Sequence, residues 1–345
     1  MGVPGPVAPD TPSWNDWTSL AQHERVVPQL YRLVDTVATN LTDEQREAVG
    51  DLQAAAMSRC VRLEHHAIDV TRLLADHSIR SVVLKGSATA HLDYPDPAWR
   101  DFNDVDVLLA PADRKQATAL LQRYGWTQGY TLPTGHEEYT HAVTFVRDGV
   151  ELDLHQRVGR RALGMLVPTP ELLDHAVAFE TGGCAMLALD DIDRLIHSAV
   201  HAVAARYPLR MLSTLTDVLV MAHRRPGLAG EALARAEHWR LRSIVERGIR
   251  DAYAAARLEL HPEWAAAMRA PIRRRDRLID LAYATPRRRA VVEELAYLRV
   301  LDGFEDRWRY LRGYFSTDTA YAAQRGRSGV RAQLKYVLRK LRRRS

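Results

Sequence analysis

Two aspartates, Asp104 and Asp106, sit two residues apart in the run Asp104-Val105-Asp106-Val107-Leu108-Leu109. In an extended strand such residues share one face, about 6.6–6.8 Å apart along the backbone, while Val105 and Val107 take the other face. Two like charges at that spacing repel by roughly 2.5 kcal/mol at an effective dielectric of about 20. A divalent cation relieves that repulsion, and hard ions such as Mg2+ prefer carboxylate oxygens. A second run, Val150-Glu151-Leu152-Asp153-Leu154-His155, places Glu151, Asp153 and His155 on one face. If the two strands are neighbours, Asp104, Asp106 and Asp153 converge as catalytic and metal-binding carboxylates. Two ions held there can clamp the attacking and leaving oxygens of an in-line phosphoryl transfer. Upstream, Lys85-Gly86-Ser87 reads as a phosphate-binding turn: Gly86 permits close backbone approach, and Ser87 offers a hydroxyl and an amide where a helix begins. Lys85 and Arg100 are candidate cations for a triphosphate. His155 is a candidate either to orient Asp153 or to contact phosphate, set against a purely structural histidine.

The same spelling recurs at Asp191-Ile192-Asp193 without a glycine-serine turn before it, and a long helical pattern follows. That pair reads as acids at a helix start. His197 and His201 have the spacing of a zinc pair. The residue after His197 is Ser198, so the glutamate of a His-Glu-x-x-His protease is missing. A structural or acceptor-pocket role is the expectation there.

These side chains need a scaffold. Thr42-Asp43-Glu44-Gln45 is a capping box opening a long helix that runs to about residue 77. Ser81 to Leu84 reads as a strand, Ala88 to Leu92 as a helix, and Asp93-Tyr94-Pro95-Asp96-Pro97 as a turn. Asp104 to Leu109 is a strand, and Ala112 to Tyr124 a helix stopped by Gly125. His141 to Arg147 and Val150 to His155 form a hairpin across Asp148-Gly149. After about residue 160 the pattern is helical almost to the end. The expected fold is α+β: a small mixed sheet flanked by helices, then a mainly helical C-terminal region. The expected organisation is a partly disordered N-terminal segment (1–40), a core with its leading helix (41–160), a helical domain (161–324) and a basic tail (325–345).

Composition narrows the class. The chain has 345 residues, a net charge of +5 and a pI near 9.3. Nine basic residues and no acids fall within 325–345, so the remainder carries −4 and the high pI belongs to the tail. The body is therefore not read as a nucleic-acid binder. The tail places Val330, Leu334, Val337 and Leu341 near one helical face, which sets contact with an acidic membrane, RNA or a phosphorylated partner against a plain solvated end. No run approaches the ~18 apolar residues of a membrane span. The first residues lack a signal-peptide pattern, and two cysteines give no disulfide framework. A soluble cytoplasmic protein is expected.

The stretch from Val82 to Leu109, with Leu84-Lys85-Gly86, Tyr94-Pro95-Asp96-Pro97, Arg100 and Asp104-Val105-Asp106-Val107-Leu108, resembles the uncharacterised nucleotidyltransferase family of the polymerase-β-like superfamily. Asp153-Leu154-His155 continues the likeness, as do the segments Asp193 to His201 and Leu212 to Leu219 around Asp217. Gln156 stands where members often carry Trp. The resemblance covers roughly residues 40 to 225. It implies a compact nucleotidyltransferase sheet, two Mg2+ ions (or Mn2+ in their place), and transfer of NMP from an NTP, with ATP and AMP the first expectation, to a hydroxyl or phosphate acceptor with pyrophosphate release. By carry-over Asp104 and Asp106 bind both metals, Asp153 holds the acceptor-side metal and assists deprotonation, and Gly86 and Ser87 hold the triphosphate. The acceptor is left open between a small molecule, a peptide as in natural-product tailoring, and a protein as in adenylylating antitoxins. The rival to an enzyme is a non-catalytic nucleotide-binding scaffold.

Overall fold

The computed structural model describes residues 13–36, 41–129, 141–159, 163–204, 212–274, 276–278, 295, 297–299, 301 and 303–315. The N-terminal dozen and the basic tail lie outside the described residues. Two helices, α1 (Trp14–His23) and α2 (Val27–Thr36), precede the long α3 (Asp43–Asp76). A capping box opens α3: the Thr42 hydroxyl accepts from the Gln45 amide at 3.2 Å, and the Gln45 side chain accepts from the Thr42 amide at 3.0 Å. Strand β1 (Ser81–Val83), helix α4 (Ser87–Asp93) and strand β2 (Asp104–Leu109) follow. Next come α5 (Arg114–Arg123), the short β3 (Thr127–Gln128), β4 (Ala142–Arg147) and β5 (Val150–His155). Asp148 and Gly149, both at positive φ, make the tight hairpin between the last two.

Past residue 160 the structure departs from the helical expectation. After α6 (Leu163–Leu166) and α7 (Thr169–Asp174), strands β6 (Val177–Thr181) and β7 (Cys184–Ala188) form a second hairpin. Gly182 and Gly183 both take positive φ at its turn. That Gly-Gly pair was the available signal. The strands themselves alternate weakly, and β7 is chosen for the sheet by its parallel pairing to β1. The result is one seven-stranded mixed sheet in the order β3-β4-β5-β2-β1-β7-β6. The chain then continues through α8 (Asp191–Ala204), α9 (Leu212–Arg224), α10 (Ala229–His238), α11 (Arg242–Ala255), α12 (Pro262–Ala267) and a helix at Gly303–Phe315. No helix among the described residues is long and apolar enough to cross a membrane.

The two faces of the sheet bury different partners. Val83, Val105, Val107, Leu109, Leu152 and Leu154 pack with Leu63, Val70 and Leu74 of α3. Val82, Leu84 and Leu108 instead join the apolar cluster of α8, α9, α10 and α11. Strand alternation therefore puts Asp104 and Asp106 on the side of Leu108, toward the later helices.

The turn between α1 and α2 has an uncommon backbone. The Arg25 amide donates to Gln22 O at 3.3 Å and the Val26 amide to Ala21 O at 2.8 Å, the paired bonds of a Schellman motif. Its left-handed position is usually glycine, but here it is Arg25 at φ 55°. A side chain in that region costs about 1–2 kcal/mol.

Helix α11 crosses α8 at Gly248, where a Cβ would come within 2.7 Å of Ala199 O and 3.0 Å of its Cα. Replacing a helical glycine by alanine ordinarily stabilises by up to about 1 kcal/mol. At Gly248 the opposed atom is backbone, so overpacking of about 1–3 kcal/mol reverses the sign. Gly248→Ala is therefore expected to lower the urea midpoint. Gly230→Ala, on α10 with nothing within 4 Å, is expected to raise it or leave it unchanged. Equal shifts of the same sign would refute this packing.

Candidate active site

Strand β2 pairs parallel with β5, and the register sets Asp104 opposite Glu151, Asp106 opposite Asp153 and Leu108 opposite His155. Parallel pairing keeps equivalent faces aligned, so carboxylates far apart in sequence stand side by side. Donor atoms of Asp106, Asp153 and His155 all lie within 4.8 Å of one another. Asp104 stands one pleat along the same face and its carboxylate has no hydrogen bond or ion pair among the described residues.

Asp106 is the electrostatic centre. Its Oδ2 lies 3.0 Å from Lys85 Nζ and its Oδ1 2.7 Å from His155 Nε2, and only 4% of the residue is exposed. Burial alone would push its carboxyl up. Lys85 and His155 together hold it well below the usual carboxylate range. Burial likewise works against the Lys85 ammonium, but Asp106 and Asp104 more than offset it and the pKa is raised. Burial and then Asp106 push Asp104 up, against the pull of Lys85 and Arg25. The site thus holds more carboxylate than its own cations neutralise. The clustered donors of Asp106, Asp153 and His155, with Asp104 on the same face, have the chemistry to hold a divalent cation.

Asp153 is aimed by Thr144, whose hydroxyl donates to Oδ1 at 2.5 Å across the β4–β5 pairing. Thr144 was not singled out from sequence. Its cross-strand position opposite Asp153, two residues inside the hairpin strand, was the available signal.

The backbone of the Lys85-Gly86-Ser87 turn requires its glycine. Gly86 takes φ 54° and ψ −116°, and a Cβ there would press within 3.1 Å of the Phe102 ring. No residue but glycine suits both the dihedrals and the space. Ser87 follows as the first residue of α4 and is buried. Lys85 directs its ammonium to Asp106 and offsets that buried charge.

Arg100 makes its direct contacts away from Asp106, although it feels the charge of Asp104. Its guanidinium is gripped by Asp217 on α9, Nε at 3.0 Å and Nη2 at 2.8 Å, while Nη1 donates to Asp101 O at 2.5 Å. The Tyr94 hydroxyl donates to the same Asp217 at 2.7 Å. Arg100 therefore fixes the segment leading into β2, and Asp217 is the partner sequence reading left unassigned. The segment is also held by Gln29 on Trp99 O at 2.9 Å, by Gln53 on Ala98 O at 3.1 Å, and by Arg59 on Asp101 at 2.6 Å. Arg32 lies 3.2 Å from the Trp99 ring centroid.

The other singled-out groups separate cleanly. Asp193 is paired with Arg235 at 2.8 Å and His175 at 3.0 Å, and Arg235 also binds Asp190 at 2.6 Å. This second acidic cluster already contains its cation, and Asp191 and Asp193 open α8 as expected. His197 and His201 lie with ring centroids 6.3 Å apart. His197 is buried, feels the charges of Lys85 and His155, and its Nδ1 has no hydrogen-bond partner among the described residues.

The family model described as uncharacterised nucleotidyltransferase matches residues 10–255. No curated protein matches the chain. Among solved structures, an antigenic nucleotidyltransferase-like protein from Paracoccidioides brasiliensis is 15% identical with a TM-score of 0.38, covering 61% of this chain and 94% of its own. The antibiotic-resistance factor ANT(2'')-Ia is 12% identical with a TM-score of 0.37, covering 59% and 96%. Both likenesses are loose, and the sheet described above rests on its own strand pairing.

His197 provides a pH test of the site's packing. Burial lowers its pKa from 6.5 to about 3. The imidazole is neutral when folded and takes up a proton on unfolding below about pH 6.5. Its contribution is complete above that pH and lost as pH falls toward 3. Between pH 7 and 4.5 the wild type should lose about 3 kcal/mol more unfolding free energy than His197→Leu. Parallel pH profiles in urea titrations would show that His197 is not held neutral.

Proposed function

Since the chain belongs to the uncharacterised nucleotidyltransferase family, we propose that it transfers a nucleoside monophosphate, AMP first, from an NTP to an acceptor hydroxyl or phosphate, releasing pyrophosphate. The observation that carries this reading is the β2–β5 register, with Asp106 beside Asp153, Asp104 on the same face, and the Gly86-Ser87 turn next to Lys85. Asp104, Asp106 and Asp153 are the residues that would hold Mg2+ or Mn2+. Bound there, such ions supply Lewis-acid polarisation of the phosphate and a more nucleophilic acceptor oxygen.

The protein's own groups divide the remaining work. Gly86 and Ser87 cradle the phosphate chain through backbone amides at the start of α4. Asp153, aimed by Thr144, receives the proton of an acceptor hydroxyl as its oxygen bonds to the α-phosphorus. The bond between the α-phosphorus and its bridging oxygen breaks, and that electron pair leaves with pyrophosphate. Lys85 and His155 keep Asp106 ionised and oriented throughout. A cytosolic setting, rich in NTP and Mg2+, suits this chemistry, and both cysteines are free.

Incubating the full chain with each α-labelled ribonucleoside triphosphate, Mg2+ and a cell extract should transfer label to an acceptor and release pyrophosphate. Asp104→Asn and Asp106→Asn, checked for folding by circular dichroism, should lower transfer by about two to three orders of magnitude. Chelation should stop it, and Mg2+ or Mn2+ should restore it. Transfer at wild-type rate in both folded variants would refute the proposal.

A further inference from the structure

We propose that the cleft between β1 and β7 takes an extended acidic peptide segment of a partner protein as an added strand. The first observation is how briefly these two strands meet. β1 joins β2 over three residue pairs and β7 joins β6 over five, but β1 and β7 share only the parallel pair Val83–Ala188. Continued toward the start of each strand, that register would set Ser81 against Met186 and Ile79 against Cys184. The strands part instead.

Between them lies a cavity of about 630 Å3, within the usual range for ligand sites. Residues 79–81 form one wall, residues 184–187 the other, and the last turns of α3 lie beside them. A hollow on one face of a strand is lined by every second residue. This one is lined by consecutive residues, among them Met186 from the α3 side and Leu187 from the opposite side, so it runs along the strand edges. Among the described residues no other strand pairs with those edges. Open strand edges are templates for a further strand, whose own amides and carbonyls complete the ladder.

Charge sets the kind of strand. Arg72 and Arg80 both line the cleft, and no aspartate or glutamate does. Neither arginine makes an ion pair among the described residues, where Arg72 donates only to the Cys184 sulfur, at 3.0 Å. The two serve different faces. Arg72 stands on α3, whereas Arg80 alternates with Ile79, which is buried toward α3. An inserted strand alternates in the same way, so two adjacent acidic residues on it would meet one guanidinium on each side. The basic end of this chain, residues 325–345, has the wrong sign for the place.

The probe is the blocked peptide acetyl-Val-Thr-Glu-Glu-Thr-Val-amide, titrated into the full-length chain by calorimetry and followed by amide hydrogen exchange. It should bind at one site and slow exchange within residues 79–82 and 184–187. The same peptide with Lys for both Glu should bind about tenfold more weakly or worse. A version N-methylated at alternate residues, unable to donate to the ladder, should lose affinity as well. Arg80→Glu, at an exposed position, should melt with the wild type yet weaken the acidic peptide by about tenfold or more. Failure of the acidic peptide to bind would overturn the proposal. So would equal affinity for the lysine or N-methylated peptide, wild-type affinity in Arg80→Glu, or binding that leaves exchange in the cleft unchanged. Were a second copy of the chain the occupant, the protein would self-associate and protect the cleft without peptide, and that result would overturn it too. No NTP or Mg2+ is present in these titrations, so their outcome is independent of the nucleotidyl-transfer reading.

Discussion

The parallel pairing of β2 with β5 is the constraint on which the rest of the site depends. It joins segments 49 residues apart, as measured by the Asp106–His155 contact. The intervening chain must cross over before it can return in the same direction, and α5, β3 and β4 provide that crossover. A slip of one residue in this register would turn Asp153 to the α3 side and bring Leu152 or Leu154 against Asp106. The apolar residues prevent it. Leu152 and Leu154 are fully buried against α3 residues, so the hydrophobic face fixes the register and the acidic face inherits it. The site is thus positioned by residues that play no part in its chemistry.

A second layer of control is ionic. The segment between α4 and β2 buries Tyr94 and Phe102 and is held as well by charge-assisted bonds: Arg100 and Tyr94 on Asp217, Arg59 on Asp101, and Asp93 with Arg194 and Arg225. Buried pairs of this kind add modest net stability. Removing one partner, however, typically costs about 3–5 kcal/mol because the other is stranded. Such a network tolerates very few arrangements. That suits a segment whose task is to deliver Asp104 and Gly86 to fixed positions, since the Phe102 ring packs directly on Gly86.

The fold was legible in sequence wherever a local physical rule acts alone. The Thr42–Gln45 box, the Asp148-Gly149 hairpin, the alternation of Asp104 to Leu109 and the breaker Gly125 each depend on a few adjacent residues. Reading failed where distant partners decide. Strands β6 and β7 are weakly patterned and become part of the sheet through β1, a hundred residues earlier in the chain. Arg100 reads from sequence as a candidate phosphate cation through its planar fork, and sequence does not reveal the carboxylate that grips it. Its actual anion, Asp217, lies 117 residues away. The helices α1 and α2 fall within the segment 1–40, expected to be partly disordered, and bury Ala21, Val27, Pro28 and Val34. The carboxylates themselves were plain in sequence, while the groups that tune and aim them, His155 on Asp106 and Thr144 on Asp153, follow only from strand register.

The grip of Asp217 on Arg100 also bears on how the chain acquires its structure as it is made. The sheet gains β7 only after residue 188, and the segment before β2 gains its buried counter-ion only when α9 has formed. Contacts of such long sequence separation close late, because the loop must be ordered before any contact rewards it. During synthesis the carboxylate strand therefore emerges well before the helix that fixes its approach. Until then Arg100 lacks its buried carboxylate partner. Assembly of the later helices completes that approach.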